Sequence, residues 1–267
     1  MISYIKDEFK RGFFSKNSII CFGVILSIFF INFLEFIRLG VYNFKNTYDF
    51  IDVFLYCRNI GRFSMLSIIS PLLAAIVYSS SYLQDKRSGY LDIIYSKENK
   101  YTYVLTRLIV NAVVSGVIIV LSSLVMLIIL GCTYGINIIN INPSLNIQGP
   151  FNYIYYSNKW LYCIIILVNS FIFYAIFSTL ALGISTIINN KYISYLIPFF
   201  YCVLSETLFI TLKVYPLNVT CLFNLKEFTA QWIIMYEIIL FSIGVLLFYF
   251  GILYKNEKLD NVKFNYK

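Results

Sequence analysis

Six apolar runs, each about long enough to cross a bilayer, constrain this chain more than any other feature. They cover 19–37, 63–83, 104–130, 160–188, 192–212 and 232–254. A helix needs about 20 residues to cross the hydrocarbon, where each backbone N–H and C=O must find its partner within the protein. Only Asn189, Asn190 and Lys191 separate the fourth and fifth runs, which predicts a tight helical hairpin. The expected fold class is an all-α integral membrane domain of six transmembrane helices that takes up the whole of 1–267. The residues are 60% hydrophobic and 13% charged, against about 25% charged in a soluble domain.

Lys and Arg set the expected orientation. With the N-terminus inside, fourteen fall on the cytoplasmic side: Lys6, Lys10, Arg11 and Lys16, then Lys86, Arg87, Lys97, Lys100 and Arg107, then Lys191, then Lys255, Lys258, Lys263 and Lys267. Seven fall outside: Arg38, Lys45, Arg58, Arg62, Lys159, Lys213 and Lys226. Both termini are therefore expected in the cytoplasm. The net charge of +8 then reads as attraction to anionic lipid, not to nucleic acid. The abundance of Asn, Ile, Lys and Tyr fits an AT-rich bacterial genome, so the expected location is a bacterial plasma membrane.

Residues 1–17 place Ile2, Ile5, Phe9 and Phe13 on one helical face and Lys6, Asp7, Lys10 and Arg11 elsewhere. That pattern predicts an amphipathic helix lying on the inner membrane surface. No small-residue cleavage site closes the first span, so the segment does not read as a cleaved signal peptide. The outer segments 38–62 and 132–159 are rich in Asn, Tyr and Phe, and Pro143, Gly149 and Pro150 forbid a continuous helix in the second. Segment 213–231 is apolar (Val214, Leu217, Val219, Leu222, Phe223, Leu225, Phe228), broken at Pro216, and too short to span. It is expected to be re-entrant.

Catalytic chemistry finds no support. The chain has no histidine, which removes His-based triads and HExxH metal sites. Its six cysteines form no CxxC pair; a pairing among Cys57, Cys132 and Cys221 stays open. There is no Walker loop and no Gly-x-Ser-x-Gly elbow. No catalytic residue, metal ligand or cofactor-binding residue is expected on this chain.

The most informative segment is 84–103, between spans two and three. Asp85, Lys86 and Arg87 end the second helix, and Ser88-Gly89 makes a turn. Tyr90, Leu91, Ile93, Ile94 and Tyr95 form a short apolar segment, and Ser96 or Asn99 caps the next helix. A short apolar helix between charged turns suits docking into a groove of a soluble partner, or lying on the lipid surface.

This segment resembles the coupling loop of the permease subunits of type-2 ABC exporters. The resemblance rests on Pro71-Leu72-Leu73-Ala74-Ala75, Asp85, Ser88-Gly89 and the apolar residues after it, Lys97, Lys100, Tyr101 and Tyr103, and Arg107 with Asn111. In residue pattern it covers roughly 71–116; in layout, almost the whole chain. It implies a short cytoplasmic coupling helix, and a cytoplasmic ABC ATPase dimer, carrying ATP and Mg, that meets Asp85, Gly89, Tyr90, Leu91, Asp92, Ile94 and Tyr95. It implies a second contact through Ile5, Phe9 and Phe13, a second permease copy, identical or paired, and export of an amphipathic substrate such as a peptide antibiotic, bacteriocin, drug or lipid-like molecule. The alternatives are a secondary transporter, which usually shows midplane charges and internal repeats, and a non-transporting sensor or assembly protein.

Polar residues within the spans have two readings each. Glu206 and Glu237 lie at matching depth and serve either as outer-cavity contacts for substrate or cation, or pair with Lys213 or Lys226 or snorkel to water. Asn111 and Asn169 are expected to join helices by hydrogen bonds, and Gly116, Gly183 and Gly244 to let helices approach closely. Trp160 and Trp232 read as interfacial anchors.

Overall fold

A computed structural model describes residues 2–38, 48–60, 65–97, 99–135, 147, 149–214, 217–226 and 229–264. Lys45, Arg62, Pro143, Pro216, Phe228 and Lys267 lie outside the described residues, as do the side chains of Ile2, Lys97, Lys255, Lys258 and Lys263. Among the described residues the chain is helical, without a strand. The helices are α1 (Ile2–Phe13), α2 (Lys16–Arg38), α3 (Phe50–Leu55, widening to a π turn over Tyr56–Ile60), α4 (Met65–Tyr78), α5 (Ser81–Arg87) and α6 (Tyr90–Lys97). They continue with α7 (Lys100–Tyr134), α8 (Asn152–Ser157), α9 (Lys159–Ile187), α10 (Lys191–Thr211), α11 (Val219–Asn224) and α12 (Ala230–Phe264).

Six stretches are long and apolar enough to cross a membrane: α2, Leu66–Arg87 (α4 with α5), α7, α9, Lys191–Phe209 of α10, and Ala230–Leu253 of α12. The chain is thus a multi-pass membrane protein. The second stretch is broken at Ser79–Ser80, where the sequence predicts one continuous helix. Pro71 sits inside α4. The neighbouring hydroxyl of Ser70 donates back to the Leu66 carbonyl one turn earlier. Polar caps fix the starts of several helices: Asn99 for α7, Asn158 for α9 and Asn218 for α11. Of the two capping residues open for α7, the structure uses Asn99.

At 35 residues, α7 is about 52 Å long at ~1.5 Å per residue, well beyond a hydrocarbon core of about 30 Å. It is therefore longer than a perpendicular crossing needs, yet Tyr103 and Leu130, near its two ends, are both buried in the bundle. The end of the bundle that carries α1, α5, α6 and the start of α7 is called basal here; α3, α8 and α11 lie towards the other end. α9 is the central helix, packed by α12, α7, α4 and α10.

The glycines of the spans mark close helix approaches. A Cβ on Gly244 would stand 2.9 Å from the Leu180 backbone nitrogen, and one on Gly183 would stand 2.8 Å from the Gly244 carbonyl. A Cβ on Gly116 would meet the Phe171 ring at 2.5 Å. Because the Gly244 contact is with backbone, no side-chain rotation relieves it. Gly244→Leu is expected to push α12 off α9 and cost about 1–3 kcal/mol or more by overpacking. The check is thermal unfolding of the detergent-purified protein, with Gly23→Leu, whose added Cβ meets nothing within 4 Å, as the unaffected comparison.

Candidate functional site: a four-charge joint beneath an exposed helix

The basal end is organised by three buried charges, Glu8, Asp85 and Arg107, and the partly exposed Arg11, from three helices. Arg107 stands seven residues into α7 and is fully buried. Its Nη1 donates to Glu8 Oε2 of α1 and to the Tyr78 hydroxyl, each at 2.7 Å, and its Nη2 donates to Glu8 Oε1 at 3.2 Å. The same Nη2 pairs with Asp85 of α5. Asp85 also takes Arg11 Nη1 of α1 at 2.7 Å and accepts the Tyr103 hydroxyl at 3.2 Å. The Tyr78 hydroxyl donates to Glu8 at 2.7 Å.

Two guanidinium groups and two carboxylates make this cluster neutral. Such a set is tolerated out of water only when its members are paired and hydrogen-bonded. The bidentate grip of Arg107 on Glu8 uses the fork geometry that lysine lacks. The rings of Tyr103 and Tyr78 lie 5.3 and 5.6 Å from the Arg107 guanidinium carbon and wall it from solvent. Burial opposes the charge of Arg11, but the Asp85 carboxylate beside it raises the Arg11 pKa overall.

The cluster corrects the reading of α1. The helix does not present its apolar face only to lipid; Phe9 and Phe13 pack against the bundle core, and Ile5 is half-buried. Glu8 is 3% exposed. Gly12 lets the approach happen, since a Cβ there would stand 2.9 Å from Val114 Cγ2.

α6 sits directly beside the cluster. Leu91 and Ile94 are buried with Tyr82, Leu83, Tyr103, Val104 and Phe248 in a separate basal core, and Tyr95 stands edge-on to Tyr103 at 5.6 Å. Of the residues expected to meet a partner, Asp85, Leu91 and Ile94 therefore face inward, because the amphipathic pattern of α6 is consumed by its own bundle. Gly89, Tyr90 and Asp92 are exposed, as is Ile93 at 53%. Gly89 has φ +71°, a left-handed turn that a side chain would strain. The outward face of α6 is thus Tyr90, Asp92 and Ile93, displayed on a helix whose other face is anchored. Lys86 and Arg87 of α5 donate to the side chain and carbonyl of Asn189 at the α9–α10 turn, so α5 is tied to that hairpin as well.

Towards the other end, a second set of polar contacts holds irregular backbone within the bundle. Lys159 Nζ lies 2.7 Å from Asp49 Oδ2 and 2.8 Å from Asp52 Oδ2, and the Tyr155 hydroxyl donates to Asp52 Oδ1 at 2.6 Å. Arg58, read in sequence as a loop charge, is fully buried. Its Nη2 donates to the Phe223 carbonyl at 2.8 Å and its Nε to the Ser170 hydroxyl at 3.3 Å. Asn169 Nδ2 donates to the Leu222 and Phe223 carbonyls at 3.0 and 3.1 Å. Both side chains satisfy the C-terminal carbonyls of α11, beside a residue eleven positions into α9. A cation also suits the negative end of a helix.

The carboxyls of Glu206 and Glu237 are not brought together: among the described residues no hydrogen bond or ion pair joins them to each other, to Lys213 or to Lys226. Glu237 is buried and its Oε1 has no hydrogen-bond partner among the described residues. Asn169 joins α9 to α11, whereas the Asn111 side chain finds no hydrogen-bond partner among the described residues. Trp160 and Trp232 are exposed, Trp160 edge-on to Phe50 at 5.2 Å. Cys21, Cys57, Cys132, Cys163 and Cys202 are free thiols, and no group of three metal-ligating side chains assembles among the described residues. Comparison with protein-family models, with curated proteins and with solved structures finds no match.

Proposed function

We propose that this chain is the membrane-spanning permease subunit of an ATP-driven exporter of the type-2 ABC kind, working with a separate ATPase. The observation that carries the reading is the pairing of α6 with the charged joint. α6 offers a small apolar and acidic face outward and is anchored inward by Leu91 and Ile94, while α5 just before it is locked through Asp85 to Arg11 of α1 and Arg107 of α7. A push on that face from a soluble partner moves α5, α1 and α7 together, because none of the four charges is left buried without its counter-ion at modest cost. Six membrane-crossing helices and an N-terminal helix packed against the basal end support the same layout. Under this reading ATP and Mg reside on the partner, a second permease copy completes the pathway, and the substrate is amphipathic.

The test is co-purification with an ATPase bearing a Walker loop, encoded beside this chain. The account expects the wild type to retain it and Ile93→Asp to lose it by about tenfold or more, the scale of one lost apolar anchor. Leu91→Ala is a folding control, not a contact variant, because Leu91 faces inward. No association, with both proteins folded, would sink the proposal.

A further inference from the structure

The elbow between α1 and α2 borders a cleft of about 280 Å³ that the roles above do not use. Arg11, Lys16 and Asn17 line one side; Ser80, Ser81 and Gln84 line the other. None of the described residues lining it is acidic. Glu8 and Asp85 lie behind Arg11, where Arg107 already neutralises them with it, so the charge of Lys16 is uncancelled there.

Two further features point to an anion. α2 begins at the cleft; Ser15 caps it by accepting the Ser18 amide at 3.1 Å, which leaves the amides of Lys16 and Asn17 in a first turn without intrahelical acceptors. Independently, Ser81 is 2% exposed and its hydroxyl has no hydrogen-bond partner among the described residues. Native structures seldom leave a buried hydroxyl unmatched. A tetrahedral oxyanion in the cleft supplies its acceptor.

The same elbow is greasy on its other flank. Phe14 is 76% exposed and Ile19 and Ile20 each 60%. A groove of about 520 Å³ runs beside them, lined by Phe13, Phe14, Ile19, Phe22, Ile118 and Leu121. A free phosphate gains nothing from that groove; a molecule with both a phosphate and hydrocarbon chains gains from both.

We infer that the cleft binds the phosphate of a membrane phospholipid, an anionic one in preference to a zwitterionic one, with its acyl chains beside Phe14 and Ile19. The bound lipid braces the elbow against α5, independently of whether an ATPase docks on α6. The test uses the full-length protein in nanodiscs of equimolar phosphatidylglycerol and phosphatidylcholine, transferred to detergent, with retained lipid read by native mass spectrometry. The expected result is one phosphatidylglycerol held per chain and not displaced by millimolar inorganic phosphate. Lys16→Gln and Ser81→Ala should each weaken it by about tenfold, the loss of one charge-assisted or otherwise unmatched hydrogen bond. Lys6→Gln, on the exposed face of α1, should leave it unchanged. Equal retention of both lipids, or retention indifferent to Lys16→Gln and Ser81→Ala, overturns the inference. Displacement by inorganic phosphate alone also overturns it, by assigning the cleft to a soluble anion.

Discussion

Arg107→Ala is expected to unseat α1. The substitution leaves Glu8 and Asp85 facing each other in a buried site with only Arg11, itself partly exposed, to compensate two carboxylates. Removing one partner of a buried ion pair costs about 3–5 kcal/mol, which lowers the unfolding midpoint of a chain this size on the order of 10 °C. The signature should be local as well as global. Trypsin cleavage at Lys6, Lys10 and Arg11 should accelerate, because these sites are protected only while α1 is docked. Arg107→Lys should fall between, since one ammonium cannot grip both Glu8 oxygens and Asp85 together. A double variant, Glu8→Gln with Arg107→Gln, should recover part of the loss, since it leaves Asp85 paired with Arg11. An Arg107→Ala protein with unchanged midpoint and unchanged cleavage would show that the cluster does not hold α1.

Lys159→Met should have a comparable effect at the other end. Lys159 bridges Asp49 and Asp52, and both acids are at most 2% exposed. Without it two carboxylates share a buried site, a loss again of about 3–5 kcal/mol. Those acids also build the α3 capping box, in which each side chain accepts the other's backbone amide, so α3 should fray and its amides exchange faster with deuterium. Asp49→Asn in the Lys159→Met background should restore part of the stability by removing one of the two charges. If the pair of substitutions is no better than Lys159→Met alone, charge is not what holds α3 to α9.

The membrane architecture was legible because uninterrupted apolar runs are a strong signal, and each span ends within a few residues of where hydropathy placed it. What lay between the spans was harder to read. The break at Ser79–Ser80 carries no Gly or Pro, so composition gave no warning. Arg58 looked like a loop cation because nothing in sequence announces that a π turn and a short helix will close over it. The inward role of Glu8, by contrast, had a signal. Ile5, Glu8, Phe9, Gly12 and Phe13 share the i, i+3, i+4, i+7, i+8 face, and an acid in the middle of an apolar face calls for a buried cation. The same spacing separates Leu91, Ile94 and Tyr95 from Tyr90 and Ile93, and so divides the inward from the outward face of α6. Spacing shows which face of a helix is apolar, but not which neighbouring helix that face meets. That is why Glu206 and Glu237, expected at matching depth, do not pair.

The proposed contact between the outward face of α6 and an ATPase is open to direct test. A photoreactive amino acid at position 93 tests it in intact membranes, with position 128 of α7, also exposed but within a membrane-crossing stretch, as the comparison. Irradiation at 93 should yield an adduct with a Walker-bearing ATPase, and irradiation at 128 adducts with lipid only. An intact, membrane-inserted protein that gives no ATPase adduct from 93 while the ATPase is present would contradict it.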